Sequence, residues 1–157
     1  MSTAMTWETK STSSAQTEQL AAKLGAKLRG GEVVELASDL GGGKTTFTRG
    51  LVHGTGSDEK VGSPTFTLNR EYTAPHFTVS HFDFYRLHEA GIVADELAEV
   101  IGDSGYVTVV EWGDIVHDVL PARRLTVQLL QGAEGEDVRR LVFAYPEELS
   151  YLLEDLK

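Results

Sequence analysis

The 157-residue sequence contains no cysteine. That excludes disulfides, thiolate metal centres and cysteine nucleophiles, and it fits a cytoplasmic protein. No stretch of about twenty apolar residues occurs, so no membrane-spanning helix is expected. Met1 to Lys10 has no apolar run of the secretory kind. Basic residues are in deficit: 14 Lys and Arg stand against 24 Asp and Glu, a formal net charge of −10. A body of that sign is poorly suited to gripping a polyphosphate backbone unaided. If its work involves RNA, a partner has to supply the basic surface. The histidines (His53, His76, His81, His88 and His117) have no metal-ligand spacing and read as structural or surface residues. No Gly-x-Ser-x-Gly elbow occurs, which removes support for a serine nucleophile, and no Asn-Lys-x-Asp segment occurs, which disfavours a GTPase.

What is present centres on residues 33 to 50. Val33 to Ser38 reads as a buried strand; Asp39-Leu40-Gly41-Gly42-Gly43-Lys44-Thr45-Thr46 follows as a glycine loop; Phe47 to Gly50 continues a helix. Strand, glycine loop and helix are the context of a phosphate-binding P-loop. Successive glycines let several N–H groups converge on one hollow, and the helix N-terminus behind them adds a positive dipole end. Lys44 is placed to reach terminal phosphates and the Thr45 hydroxyl to ligate Mg²⁺. Such a local positive site on a negative body suits a small Mg²⁺-bound nucleotide. One position departs from the motif: Ser38 stands where it has its first Gly. Serine fits there if φ is negative, whereas a positive φ would resist it.

The remaining pattern predicts one α/β domain spanning 1–157, a mixed central sheet with helices on both faces. Residues 1–5 are expected to be disordered and Thr6 to Lys10 to form an edge strand. Ser13, with Gln16 three residues on, predicts a capping box opening a helix to about Arg29, stopped by Gly30-Gly31. The helix after the glycine loop is expected from Lys44 to His53. Thr65 to Tyr72 and His76 to Phe84 read as an antiparallel hairpin. Glu89 to Val100 reads as a helix with Ile92, Leu97 and Val100 inward. Tyr106 to Val110 is a near-continuous apolar run, the mark of a strand buried on both faces. Asp114 to Leu120 reads as a short helix, Arg124 to Leu130 and Arg139 to Ala144 as a second hairpin, and Pro146 to Leu156 as a final helix.

Two carboxylates fall at strand ends. Asp83 closes the strand in His81-Phe82-Asp83-Phe84-Tyr85-Arg86, where P-loop proteins place an acid that holds Mg²⁺ or its water shell. Glu111 follows the most buried strand, at the carboxyl end where ligands bind in open α/β sheets. It could orient an attacking water or ligate the metal; the competing reading is a strand-end charge paired with an Arg. Thr65, after Ser63-Pro64, sits in a loop that could sense phosphate or simply turn the chain. Arg86 could meet a phosphate or pair with a carboxylate. Trp112 is a core residue or a contact.

Taken together, the glycine loop, Ser63-Pro64-Thr65-Phe66-Thr67-Leu68, His81-Phe82-Asp83-Phe84-Tyr85-Arg86-Leu87 and Glu111-Trp112 stand in an order and spacing that resemble the bacterial TsaE (YjeE) family over about residues 12 to 144. Four separate motifs are far more specific than a lone P-loop. The resemblance implies a P-loop NTPase-like single domain that binds ATP and Mg²⁺ and hydrolyses ATP weakly alone. It implies work beside a TsaB–TsaD heterodimer, which transfers a threonylcarbamoyl group to adenosine 37 of tRNA; the TsaE-like subunit resets that complex and meets tRNA only through it. Carried over by position, it makes Asp39 to Thr46 the phosphate loop, Lys44, Asp83 and Glu111 the catalytic set, and Thr45 and Glu111 metal ligands with Asp83 in a Walker-B-like role. Trp112 matches the family's Trp beside that Glu, and Ser14 becomes a nucleotide contact. The family often has an Arg in the last hairpin loop; here that loop holds Glu134, Glu136 and Asp137, so Arg139 stands in or the contact is absent. A small-molecule kinase is the first alternative, though no Arg cluster lies between Asp83 and Glu111. A nucleotide-binding scaffold that does not hydrolyse is the second.

Overall fold

A computed structural model describes residues 4–38, 43–61, 69–84, 91–111, 119–132, 134–135 and 138–157. Among these the elements run β1 (Ala4–Ser11), α1 (Ser14–Gly25), β2 (Val33–Ser38), α2 (Lys44–Gly54), β3 (Asn69–Thr73), β4 (Thr78–Asp83), α3 (Gly91–Val100), β5 (Tyr106–Glu111), β6 (Leu125–Gln131) and β7 (Arg139–Pro146). A 3₁₀ helix, Glu147–Leu153, ends the order. The strands form one mixed sheet in the order β1-β7-β6-β2-β5-β4-β3. Its centre is parallel, β6 with β2, β2 with β5 and β5 with β4. Both expected hairpins are present as antiparallel pairs, β3–β4 and β6–β7, and β1 closes the edge against β7.

The period of two along each strand divides the core between two faces. On one face Val34 and Leu36 of β2, Val107 and Val109 of β5, and Val127 and Leu129 of β6 pack with Leu24 of α1 and Phe47 and Leu51 of α2. On the other, Val33, Phe82 and Val110 pack with Leu97 of α3. Removing a side chain such as Leu51, fully buried, would cost about 2–5 kcal/mol. The leucines of the 3₁₀ helix, Leu149, Leu152 and Leu153, join the first face.

Several boundaries differ from the sequence expectation. Ala4 and Met5, expected to be disordered, belong to β1, because their backbones pair with Pro146 and Tyr145 of β7. Main-chain pairing at an edge needs no apolar side chains, so composition carried no sign of it. Helix α1 ends at Gly25 rather than near Arg29. The chain there tightens into i→i−3 bonds, Lys27 N to Leu24 O and Leu28 N to Gly25 O, which turn Leu28 into the core. The N-terminal cap is as expected in its first half, Ser13 Oγ accepting from Gln16 N. The reciprocal bond is shifted by one residue: Gln16 Oε1 accepts from Thr12 N at 2.6 Å. Ile92, expected inward on α3, and most of the expected 114–120 helix lie outside the residues whose side chains or backbone are described.

Helices α1 and α2 cross at very close range. A Cβ on Gly25 would stand 2.1 Å from Leu51 O, one on Gly54 2.1 Å from Ala22 O, and one on Gly50 2.2 Å from Glu18 O. Only hydrogen fits in those gaps, so three glycines set how closely α2, the helix that begins with Lys44, lies against α1.

Candidate nucleotide site

The carboxyl ends of β4, β5 and β2 meet at one end of the sheet, next to the start of α2. Ladder register puts Asp83 opposite Glu111, and Glu111 opposite Leu36. Alternation then fixes the face. Val107, Val109 and Glu111 share one side of β5, and Val79, His81 and Asp83 share one side of β4. Those valines pack with Phe47 and Leu51 of α2, so both carboxylates lie on the α2 side of the sheet. The two acids expected to act together are thus neighbours on adjacent strands. Glu111 is only 2% exposed, while Asp83 is half-buried at the rim.

At the head of α2, Gly43 has φ +97° and ψ 16°, a left-handed conformation that favours glycine. It is the N-cap, and it turns the chain from the glycine loop into the helix. Lys44, Thr45 and Thr46 form the first turn, each half-buried. Lys44 folds back toward the strand end, Nζ lying 3.5 Å from the Ser38 carbonyl oxygen. Ser38 itself is the last residue of β2 and pairs with Leu129. Its backbone is therefore extended, a conformation open to serine, and the departure from Gly at this position carries no strain. Asp39, Leu40, Gly41 and Gly42 lie outside the described residues, as do Thr65, Arg86 and Trp112.

Two residues join the site that the sequence reading had placed elsewhere or left open. His81, read as structural or surface, is 1% exposed, and its Nε2 lies 2.5 Å from Glu111 Oε2. Among the described residues, the partner of Glu111 is this histidine. The signal was available: His81 precedes Asp83 by two residues in a strand, so both point the same way. Arg139, at the start of β7, reaches the glycine loop, since a Cβ on Gly43 would lie 3.4 Å from Arg139 Nε. Ser14, the first residue of α1, is exposed. Strand β1 runs parallel to β6 and β2 through its antiparallel partner β7, so Ser11 and the start of α1 lie at the same sheet end as Ser38.

A family profile described as threonylcarbamoyl adenosine biosynthesis protein TsaE matches residues 11–141. The chain belongs to the TsaE family. Among curated relatives, the Bacillus subtilis tRNA threonylcarbamoyladenosine biosynthesis protein TsaE is 35% identical over 130 residues, covering 82% of this chain and 78% of that protein. The Treponema pallidum protein of the same name is 38% identical over 112 residues, 71% of this chain and 82% of that one. A crystal structure of Bacillus subtilis YdiB superposes with a TM-score of 0.78 at 31% identity, over 99% of this chain and 95% of that chain. The residues matched by the family profile, 11–141, take in Lys44, Asp83 and Glu111. Among the described residues no helix is long and apolar enough to cross a membrane.

Proposed function

We propose that this TsaE-family chain is a Mg²⁺-dependent, ATP-binding and ATP-hydrolysing accessory subunit in threonylcarbamoyl modification of tRNA adenosine 37, acting beside a TsaB–TsaD-like heterodimer. The observation that carries the reading is the register match of Asp83 with Glu111 on the α2 side of the sheet, facing a helix that begins Gly43-Lys44-Thr45. Phosphate oxygens would be met by Lys44 and by the main-chain amides at the N-terminus of α2. Among the described residues no group of three His, Asp or Glu side chains forms a protein-only metal site. The donors that are present, the Thr45 hydroxyl and two neighbouring carboxylates, suit Mg²⁺, which commonly takes one or two protein carboxylates and completes its shell with phosphate and water. Bound there, the ion would neutralise charge on the terminal phosphates. Of the protein groups, Lys44 would hold the β- and γ-phosphates, Thr45 and one carboxylate would fix the geometry, and the other carboxylate would orient water. With a net charge of −10, the chain would reach tRNA through its partners rather than by its own surface.

The test is phosphate release from ATP and Mg²⁺, with and without the TsaB–TsaD pair, for the native chain and for Lys44→Ala. Release that rises with the partners and disappears in the variant supports the reading. ATP binding with no release under any condition would make the chain a scaffold. Phosphate transferred to an added acceptor would make it a kinase.

A further inference from the structure

We propose that His81 is a positioning residue for Glu111, holding one carboxylate oxygen so that the other is presented to the metal–nucleotide site. This rests on the assignment of Glu111 to that site. The terminal torsion of a glutamate has a broad, two-fold preference and does not set the plane of its own carboxylate. At Glu111 an outside group sets it: His81 Nε2 lies 2.5 Å from Oε2. A carboxylate oxygen accepts, so Nε2 carries the proton and donates. Oε1 is then the oxygen directed to a cation or a water.

His81 is itself held. It lies on β4 two residues from Asp83, and β4 is paired on both sides, with β5 and with β3. Tyr72 of β3, fully buried, stacks on its ring at 6.5 Å between centroids. Its Nδ1 is buried and has no hydrogen-bond partner among the described residues. The ring is therefore oriented by packing and by the single bond to Glu111. A histidine that served only to fill the core would gain from pairing both nitrogens; this one satisfies the nitrogen that faces the carboxylate. Groups that orient a metal-binding side chain from behind commonly change metal affinity by about 10–100-fold when removed.

The experiment compares the native chain with His81→Leu and His81→Gln, the amide of glutamine being able to donate from about the Nε2 position. Calorimetry measures the affinity for a non-hydrolysable ATP analogue in Mg²⁺ and in EDTA. The expected result is a loss of about tenfold or more in Mg²⁺ for His81→Leu, an unchanged affinity in EDTA, and recovery of most of the loss in His81→Gln. Equal losses in Mg²⁺ and EDTA, or no loss in Mg²⁺, would overturn the positioning role. On the native chain, ¹⁵N spectra of the imidazole provide a measurement that depends on no variant folding. A proton on Nε2, and a resonance that moves when Mg²⁺ is added to the nucleotide complex, support the proposal; an Nε2 without a proton, or a ring indifferent to Mg²⁺, refutes it. A native chain whose nucleotide affinity ignores Mg²⁺ would remove the site assignment and this proposal together. That outcome is distinct from a Mg²⁺ dependence that survives in His81→Leu, which removes this proposal alone.

Discussion

Arg139 reaches Gly43 across the end of the sheet, its Nε 3.4 Å from where a Cβ on that glycine would stand. The contact joins the last hairpin to the loop that opens α2. It also places a guanidinium beside the backbone on which phosphates would rest, although the hairpin loop itself carries Glu134, Glu136 and Asp137. The backbone of Arg139 is held independently of its side chain, in register with Ser11 of β1 and Gln131 of β6.

Arg139→Ala is therefore expected to weaken binding of an ATP analogue while leaving the fold in place. Hydrogen bonds to charged groups are worth about 1.5–3 kcal/mol, so the dissociation constant should rise roughly 10- to 150-fold. Arg139→Lys should recover only part of this, since an ammonium lacks the planar fork of a guanidinium. Calorimetric titration of the three proteins checks it. An alanine variant with native affinity would confine Arg139 to bracing the hairpin.

Ser38→Gly restores the residue that a P-loop motif has at this place, yet it is not expected to improve binding. Ser38 is the final residue of β2, in ladder register with Leu129, so its backbone does not call for glycine. The affinity for ATP should stay within about twofold, equivalent to about 0.4 kcal/mol. Stability should fall by roughly 0.5–1 kcal/mol, because glycine in a strand loses more backbone entropy on folding. A tenfold gain in affinity would show that the serine side chain obstructs the loop.

Glycine to alanine inside a helix ordinarily gains up to about 1 kcal/mol of helix propensity. At Gly50 and Gly54 the opposite is expected. The added methyl would meet backbone, Glu18 O at 2.2 Å and Ala22 O at 2.1 Å, and backbone cannot rotate away as a side chain can. Overpacking of this kind costs about 1–3 kcal/mol. For a chain of this length that lowers the melting temperature by about 2–4 °C per kcal/mol. Because the crossing also sets how closely α2, the helix that begins with Lys44, lies against α1, Gly54→Ala should weaken nucleotide binding although it lies a full helix length from Lys44. A variant that melts at or above the native temperature would mean that the two helices separate without loss.

The strength of local signals explains what could be read from the sequence. Val33 to Ser38, Lys44 to Gly54 and Tyr106 to Glu111 were legible because an apolar run, a glycine loop and a second apolar run each act within a few residues. The pairing of Asp83 with Glu111 was not, since register between strands depends on how α2 and α3 pack, not on either strand alone. Spacing to other histidines carries no sign of the role of His81, because its partner is a glutamate thirty positions away. The close crossing of α1 and α2 was hidden for a different reason. A glycine in a helix ordinarily reads as a weak point, and only the facing carbonyls of Glu18, Ala22 and Leu51 show that Gly50, Gly54 and Gly25 are required.

The opposite end of the sheet provides a test of stability rather than of chemistry. Glu32 is buried and accepts from the amides of Arg29 and Gly30, and its Oε2 accepts a hydrogen bond of 2.5 Å from the Tyr151 hydroxyl. Burial, then the bond to Glu32, raises the Tyr151 pKa well above that of a free tyrosine. Above about pH 10 a tyrosine in the unfolded chain releases its proton. The native Tyr151 keeps its own, so the folded state binds more protons and stability falls as the pH rises. Below about pH 10 the contribution is fully present. Tyr151→Phe should therefore melt below the native protein at neutral pH, and the gap should narrow as the pH is taken from about 10 toward 12. Thermal melts across that range check it, with the other tyrosines common to both proteins. A gap that stays constant would mean that Tyr151 ionises in the folded chain as it does in the unfolded one, and a gap that widens would mean that folding lowers its pKa; either would contradict the raised pKa.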